Sequence, residues 1–174
     1  MIIIFDLDDT LYKRDDFVNN GLKNASDLIF SKNKFLKKQE ILNSLKKIYH
    51  NKKIKNSFNF FLKKHKIKNI KPRECIYFYR YGKNNIKVYP QALSLLKLYK
   101  KKCYLVTDGS KLVQKYKIKN LKIEKYFKKI LITNTYRLQF QKPSLHCFRL
   151  IKNIERCKYK ELVYIGDNPK KDFL

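Results

Sequence analysis

The stretch from Met1 to Leu11, MIIIFDLDDTL, constrains this chain more than any other. Its apolar run has the length and composition of a strand covered on both faces, although periodicity alone leaves a short buried helix open. Asp6, Asp8 and Asp9 follow at once, so the carboxylates sit where the strand runs out. In an open α/β sheet that carboxyl end is where ligands bind. Asp6 and Asp8 are two positions apart, and on an extended backbone such residues face the same side. Two negative charges held that close repel one another unless a cation lies between them. The pair therefore predicts a hard, oxygen-seeking ion such as Mg²⁺. Taken alone, Asp-x-Asp also describes an acid-rich turn that caps a helix.

Three later stretches remove that ambiguity. CYLVTDGS is an apolar run ending at Thr107, QKPS carries Lys142, and LVYIGDNPKKDF is an apolar run ending near Asp167, with Asp172 five residues on. Between them, Pro90 to Lys102 and Lys111 to Leu121 have helical spacing, KILIT (Lys129 to Thr133) is a further strand, and Ser144 to Ile154 a further helix. Strands alternating with helices predict a parallel, doubly wound sheet.

The segment between the first two of these stretches is different. Val18, Leu22, Ala25 and Ile29 recur at helical spacing, with Asp15 or Asp16 placed to cap that helix. Ile41, Leu45 and Ile48 mark a second helix, and Phe58, Phe61 and Leu62 a third. PRECIYFYRYG makes a fourth, started by Pro72 and ended by Gly82. No strand is evident from Tyr12 to Val88. The expected organisation is a core of residues 1–12 and 89–174 with a helical insert at 13–88.

In this order, DLDDT, the strand ending in Thr107, Lys142 and the GDNPKKD stretch resemble the motifs of the haloacid dehalogenase-like (HAD) phosphohydrolases. The resemblance implies an α/β fold: a doubly wound, parallel-sheet, Rossmann-like HAD core with a helical cap inserted after the first strand. In that family a cap at this position closes over the site and selects the substrate. The implied chemistry is Mg²⁺-dependent hydrolysis of a phosphate monoester. Asp6 is the implied nucleophile, forming an aspartyl-phosphate, and Asp8 the acid that protonates the leaving oxygen and then deprotonates water. Partial protonation of Asp8 is expected because another carboxylate lies beside it. Thr107, backbone N–H groups at and after Asp108, and Lys142 are implied to hold the phosphate. Mg²⁺ is implied to take a carboxylate oxygen of Asp6, the backbone carbonyl of Asp8 and a carboxylate oxygen of Asp167. Asp172 is implied to hold a metal-bound water or to orient Lys142. Asp8 argues against a dehalogenase, whose carbon–halogen reaction needs no proton donor there. Family members continue with a helix and an edge strand after the last motif, so a chain stopping at Leu174 reads as trimmed or shortened, with the loop at Asp172 affected.

Composition bounds what remains. A chain of 174 residues accommodates one domain or a core with a modest insert. The net charge of +28 and pI near 10 point at first sight to a polyanion. Yet Lys outnumbers Arg about six to one, and Ile, Asn, Tyr and Phe are abundant too, a joint excess that A/T-rich codons produce. Lys is also the poorer residue for bidentate phosphate recognition. Most lysines are therefore read as solvated faces, and nucleic acid as possible but not favoured. Cys75, Cys103, Cys147 and Cys157 lack zinc spacing and read as free thiols in a reducing compartment. His50, His65 and His146 are isolated, with no triad pattern. There is no signal-peptide core or membrane span, so a cytoplasmic protein is expected. The expected substrate is a small phosphorylated metabolite. A sugar phosphate leads, because TDGS and GDNPKKDF look most like HAD hydrolases found beside surface-sugar biosynthesis enzymes. The alternatives are a nucleic-acid end-processing phosphatase and a catalytically inactive HAD-fold binding protein.

Overall fold

In a computed structural model of the chain, which describes residues 1–172 and leaves Phe173 and Leu174 outside, the opening apolar run is a central strand. β1 (Ile2–Phe5) pairs in parallel with β2 (Cys103–Thr107) on one side and β4 (Leu162–Ile165) on the other. β3 (Phe127–Ile132) adds to β2, again in parallel, giving the order β3-β2-β1-β4. Ile4, opposite Tyr104, shares one face with Val106 and Leu131 and packs on Cys147 and Ile151 of the helix His146–Glu155. Ile3, Phe5 and Leu105 alternate onto the other face and are equally buried. Cover on both faces of β1 and β2 explains why those two strands are continuous apolar runs rather than alternating ones.

Helices connect the strands. α1 (Arg14–Lys32), α2 (Lys38–His50), α3 (Ser57–Lys64) and α4 (Pro72–Tyr81) follow β1, then α5 (Pro90–Leu98) precedes β2. α6 (Lys111–Leu121) lies between β2 and β3, α7 (His146–Glu155) between β3 and β4, and the single turn α8 (Pro169–Asp172) follows β4. The chain forms two compact units, Met1–Arg14 with Ile86–Leu174, and Asp15–Asn85. The second is all helical and has its own core, in which Val18, Leu22 and Ile29 meet Ile41, Leu45, Phe58 and Phe61. No helix among the described residues is long and apolar enough to cross a membrane.

Several boundaries differ from the sequence expectation for physical reasons. α1 begins at Arg14, so Asp15 and Asp16 lie in its first turn, where they favour the helix dipole instead of capping it. Asp9 fills the capping place, accepting a 2.8 Å hydrogen bond from the Arg14 N–H. α5 stops at Leu98 because the chain turns through Lys101 in a left-handed conformation, φ 62°. β3 starts at Phe127, earlier than its apolar pattern, since Lys128 and Lys129 are exposed on an edge strand whose pairing with β2 runs through the backbone. The four cysteines are free, three of them buried, and burial pushes the thiols of Cys75, Cys103 and Cys147 up to about 11.

The strand order makes a graded stability prediction. Ile4→Ala, at the sheet's centre with no exposed surface, is expected to cost about 2–5 kcal/mol. Val163→Ala, on the edge strand β4 and 39% exposed, is expected to cost about 1 kcal/mol or less. Urea unfolding midpoints measure both, and equal losses would contradict this sheet order.

Candidate active site

The carboxyl ends of β1, β2 and β4 point to one edge of the sheet, and Asp6, Thr107 and Asp167 stand just there. Asp6 is buried, and its Oδ1 accepts a 2.7 Å hydrogen bond from Lys142 Nζ. The ammonium also donates to Asp172 Oδ1 at 2.8 Å and to the Tyr164 hydroxyl at 2.7 Å. An ammonium has three donors, so all of those on Lys142 are committed. The Tyr164 hydroxyl in turn donates to Asp172 Oδ1 at 3.1 Å. Asp172 Oδ2 accepts from the Asn168 N–H at 2.9 Å, so both of its oxygens are occupied. Gly166 makes this packing possible, because a Cβ there would lie 2.5 Å from Asp172 Oδ2.

Asp6, Asp167 and Asp172 each bring one carboxylate oxygen to within 4.8 Å of the others. Hard oxygen donors at that separation suit a divalent cation such as Mg²⁺. With Asp172 tied to Lys142, Tyr164 and Asn168, the carboxylates best placed to ligate are Asp6 and Asp167. Burial pushes Asp6 up to about 6, against the pull of Lys142. Burial also opposes the charge on Lys142, but Asp6 and Asp172 outweigh it and its pKa is raised. Asp167 is raised too, chiefly by burial and with a contribution from Asp172.

Asp8 departs from the sequence expectation. β1 ends at Phe5, so the alternation that would put Asp6 and Asp8 on one side does not extend to Asp8. Its carboxylate instead receives hydrogen bonds from Lys117 Nζ at 2.7 and 3.0 Å and from Gln114 Nε2 at 3.0 Å. The Tyr12 hydroxyl completes the set. Asp8 thus already has a counter-ion in Lys117, and its side chain does not need to share a cation with Asp6. Burial works to raise its pKa, but Lys117, Tyr12 and Gln114 outweigh it and hold the carboxyl below the ordinary value. The partial protonation expected from a neighbouring carboxylate is not what these contacts favour.

Gln114 links this group to the phosphate side, since the same amide donates to Thr107 Oγ1 at 2.7 Å. Among the described residues, the hydroxyl of Thr107 has a long 3.5 Å contact to the Asp108 carbonyl for its own proton. Asp108 is a brace: its Oδ1 accepts from Thr133 Oγ1 at 2.6 Å and from the Lys142 N–H at 3.1 Å. The Gly109 N–H, at φ +124°, points to Asn134 Oδ1 at 3.3 Å. The structure therefore gathers Asp6, Lys142, Asp167 and Asp172 in one cluster, and Asp8 and Thr107 in a second group joined by Gln114. Sequence reading missed Gln114, Lys117, Tyr12 and Tyr164. The one available signal was Gln114, on the face of α6 that Ile118 and Leu121 also occupy, where an apolar residue would be usual.

A fold and a cluster of this kind define an α/β protein with a carboxylate and lysine site at the carboxyl ends of parallel strands. The chain belongs to the haloacid dehalogenase-like hydrolase family, whose model matches residues 3–174. It is similar to the glyceraldehyde 3-phosphate phosphatase of Methanocaldococcus jannaschii, 29% identical over 184 residues that cover 98% of this chain and 77% of that one. Among solved structures it resembles YfnB, a Bacillus subtilis HAD-hydrolase fold solved with magnesium, at TM-score 0.63, 20% identity, 98% coverage of this chain and 81% of that one. A HAD phosphatase from Thermococcus onnurineus superposes at TM-score 0.57 with 21% identity, covering 98% and 79%. These structural likenesses carry the fold.

Lys117→Met tests the pairing of Asp8. A buried pair broken on one side is expected to cost about 3–5 kcal/mol near pH 7. The wild-type carboxyl is depressed in the fold, so its contribution is present above the unfolded Asp value near 3.9 and is lost as pH falls through the folded value. The gap between wild type and variant should therefore close in acid. A gap in urea midpoint that is constant from pH 7 to pH 3 would contradict the pairing.

Proposed function

We propose that this HAD-like phosphatase hydrolyses a small phosphorylated metabolite, a sugar or aldehyde phosphate, through an aspartyl-phosphate on Asp6. The observation that carries this reading is the convergence of Asp6, Lys142, Asp167 and Asp172 at the carboxyl edge of the sheet. The relative named as a glyceraldehyde 3-phosphate phosphatase supports a small substrate.

Mg²⁺ is the proposed cofactor, held by Asp6, Asp167 and the backbone carbonyl of Asp8, where it supplies charge neutralisation for the phosphoryl oxygens. The chain's own groups do the rest. A carboxylate oxygen of Asp6 attacks phosphorus as the bond to the leaving oxygen breaks. Asp8 delivers a proton to that oxygen, then takes one from the water that cleaves the acyl phosphate and releases inorganic phosphate. Lys117 holds Asp8 in position but favours its charged form, so the proton is carried against that pull. The Thr107 hydroxyl donates to a phosphoryl oxygen, its acceptor side being fixed by Gln114. Lys142 reaches the phosphate by exchanging its bond to Tyr164, while Asp6 and Asp172 keep it in place. The helical unit at 15–85 is proposed to select the substrate.

Leaving-group dependence separates the two aspartates. Asp6→Asn is expected to remove hydrolysis of aryl and alkyl phosphates alike. In kcat/KM, which reports formation of the aspartyl-phosphate and not its hydrolysis, Asp8→Asn is expected to lose about 10²–10⁴-fold on alkyl phosphates, and much less on a nitrophenyl phosphate, whose leaving group needs no proton. Steady-state kinetics on both esters provides the test. Equal losses of kcat/KM on both esters in Asp8→Asn would remove Asp8 from the acid's role.

A further inference from the structure

Away from this cluster, a cleft of about 450 Å³ runs between α6 and the strand β3, which is the outer strand of the sheet. Lys111, Lys115 and Lys119 line it. At four-residue intervals they form one stripe along α6, rising about 6 Å from each to the next. Like charges at this spacing repel. Some lysines elsewhere meet carboxylates, as Lys32 meets Glu74, Lys38 meets Asp27 and Lys128 meets Glu155, but in a chain with so few acids most do not, and what is particular here is the shared concave stripe. Among the described residues none of these three forms a salt bridge, and the one acid lining the cleft is Glu124.

The floor is apolar, made by Ile118, Ile130 and Ile132. At the cleft's end after β3, Tyr136 is 37% exposed and is met edge-on by His146, with ring centroids 4.9 Å apart. A lone phosphate has no use for an apolar floor. A membrane surface calls for protruding apolar side chains, not a concave wall. Regularly spaced cations beside an apolar floor and an aromatic ring match a chain that alternates phosphates with planar bases.

We propose that this cleft binds a short run of single-stranded nucleic acid, with phosphates on Lys111, Lys115 and Lys119 and a base against Tyr136. The site is separate from the catalytic residues and does not depend on the hydrolytic reading. Whatever produced the chain's lysine excess, these three are set apart by sharing one stripe along a concave surface with an apolar floor.

Fluorescence anisotropy with labelled oligothymidylate tests this on the full chain. The wild type should bind at low salt. The Lys111→Gln, Lys115→Gln, Lys119→Gln triple variant should bind at least tenfold more weakly, with a salt slope shallower by about two. Lys52→Gln, Lys53→Gln, Lys55→Gln makes the same charge change on an exposed loop and should bind like the wild type. Tyr136→Ala should weaken oligothymidylate binding severalfold and leave binding of poly-glutamate unchanged. Circular dichroism confirms that each variant is folded. No binding by the wild type, equal losses in the two triple variants, or an equal effect of Tyr136→Ala on both polymers would overturn the proposal.

Discussion

A buried ammonium with three acceptors is the constraint on which the rest of this site depends. Lys142 is nearly inaccessible, and its charge survives burial only because Asp6, Asp172 and Tyr164 surround it. Such a group is costly to leave unpaired. Three separate parts of the chain must therefore meet: the end of β1, the segment before α7, and the turn after β4. The sheet order supplies the meeting point, since β1 lies next to β4. Gly166 permits the final approach by leaving room for Asp172.

The second network has a different logic. Asp8, Lys117, Gln114 and Tyr12 form a satisfied polar group at the edge of the apolar core, and α6 supplies two of its members. Because Gln114 touches both Asp8 and Thr107, a displacement of α6 would disturb the proposed acid and the proposed phosphate donor together. The two aspartates that the sequence sets two apart thus sit in opposite electrostatic settings. Asp6 is raised by burial and Asp8 is lowered by its cation. Both shifts run against the proposed first step, which asks for an ionised nucleophile in Asp6 and a protonated acid in Asp8, so a cation on Asp6 and phosphate beside Asp8 would have to reverse them.

Much of this was legible in the amino-acid order. The parallel sheet showed because buried strands are continuous apolar runs, and the helical insert showed because its stripes recur at helical spacing. Lys142 was legible only through its place before Pro143 in a motif, since one lysine in so many carries no mark of its own. Lys117 was invisible for that reason: in KLVQKYKIKNL it looks like Lys115 and Lys119, which are exposed, and only the packing of α6 shows that it is buried. Tyr164 hid within an apolar strand. Strand alternation carries no information at Asp8, because β1 has already ended at Phe5, and the partners that α6 brings to Asp8 left no mark in the sequence around it.

Calorimetric titration of Mg²⁺ into the wild type and into Asp167→Asn tests most directly whether these acids form one metal-binding pocket. The account predicts a single site in the wild type that weakens at least tenfold in the variant, with the fold unchanged by circular dichroism. Equal affinity in the two proteins would contradict it.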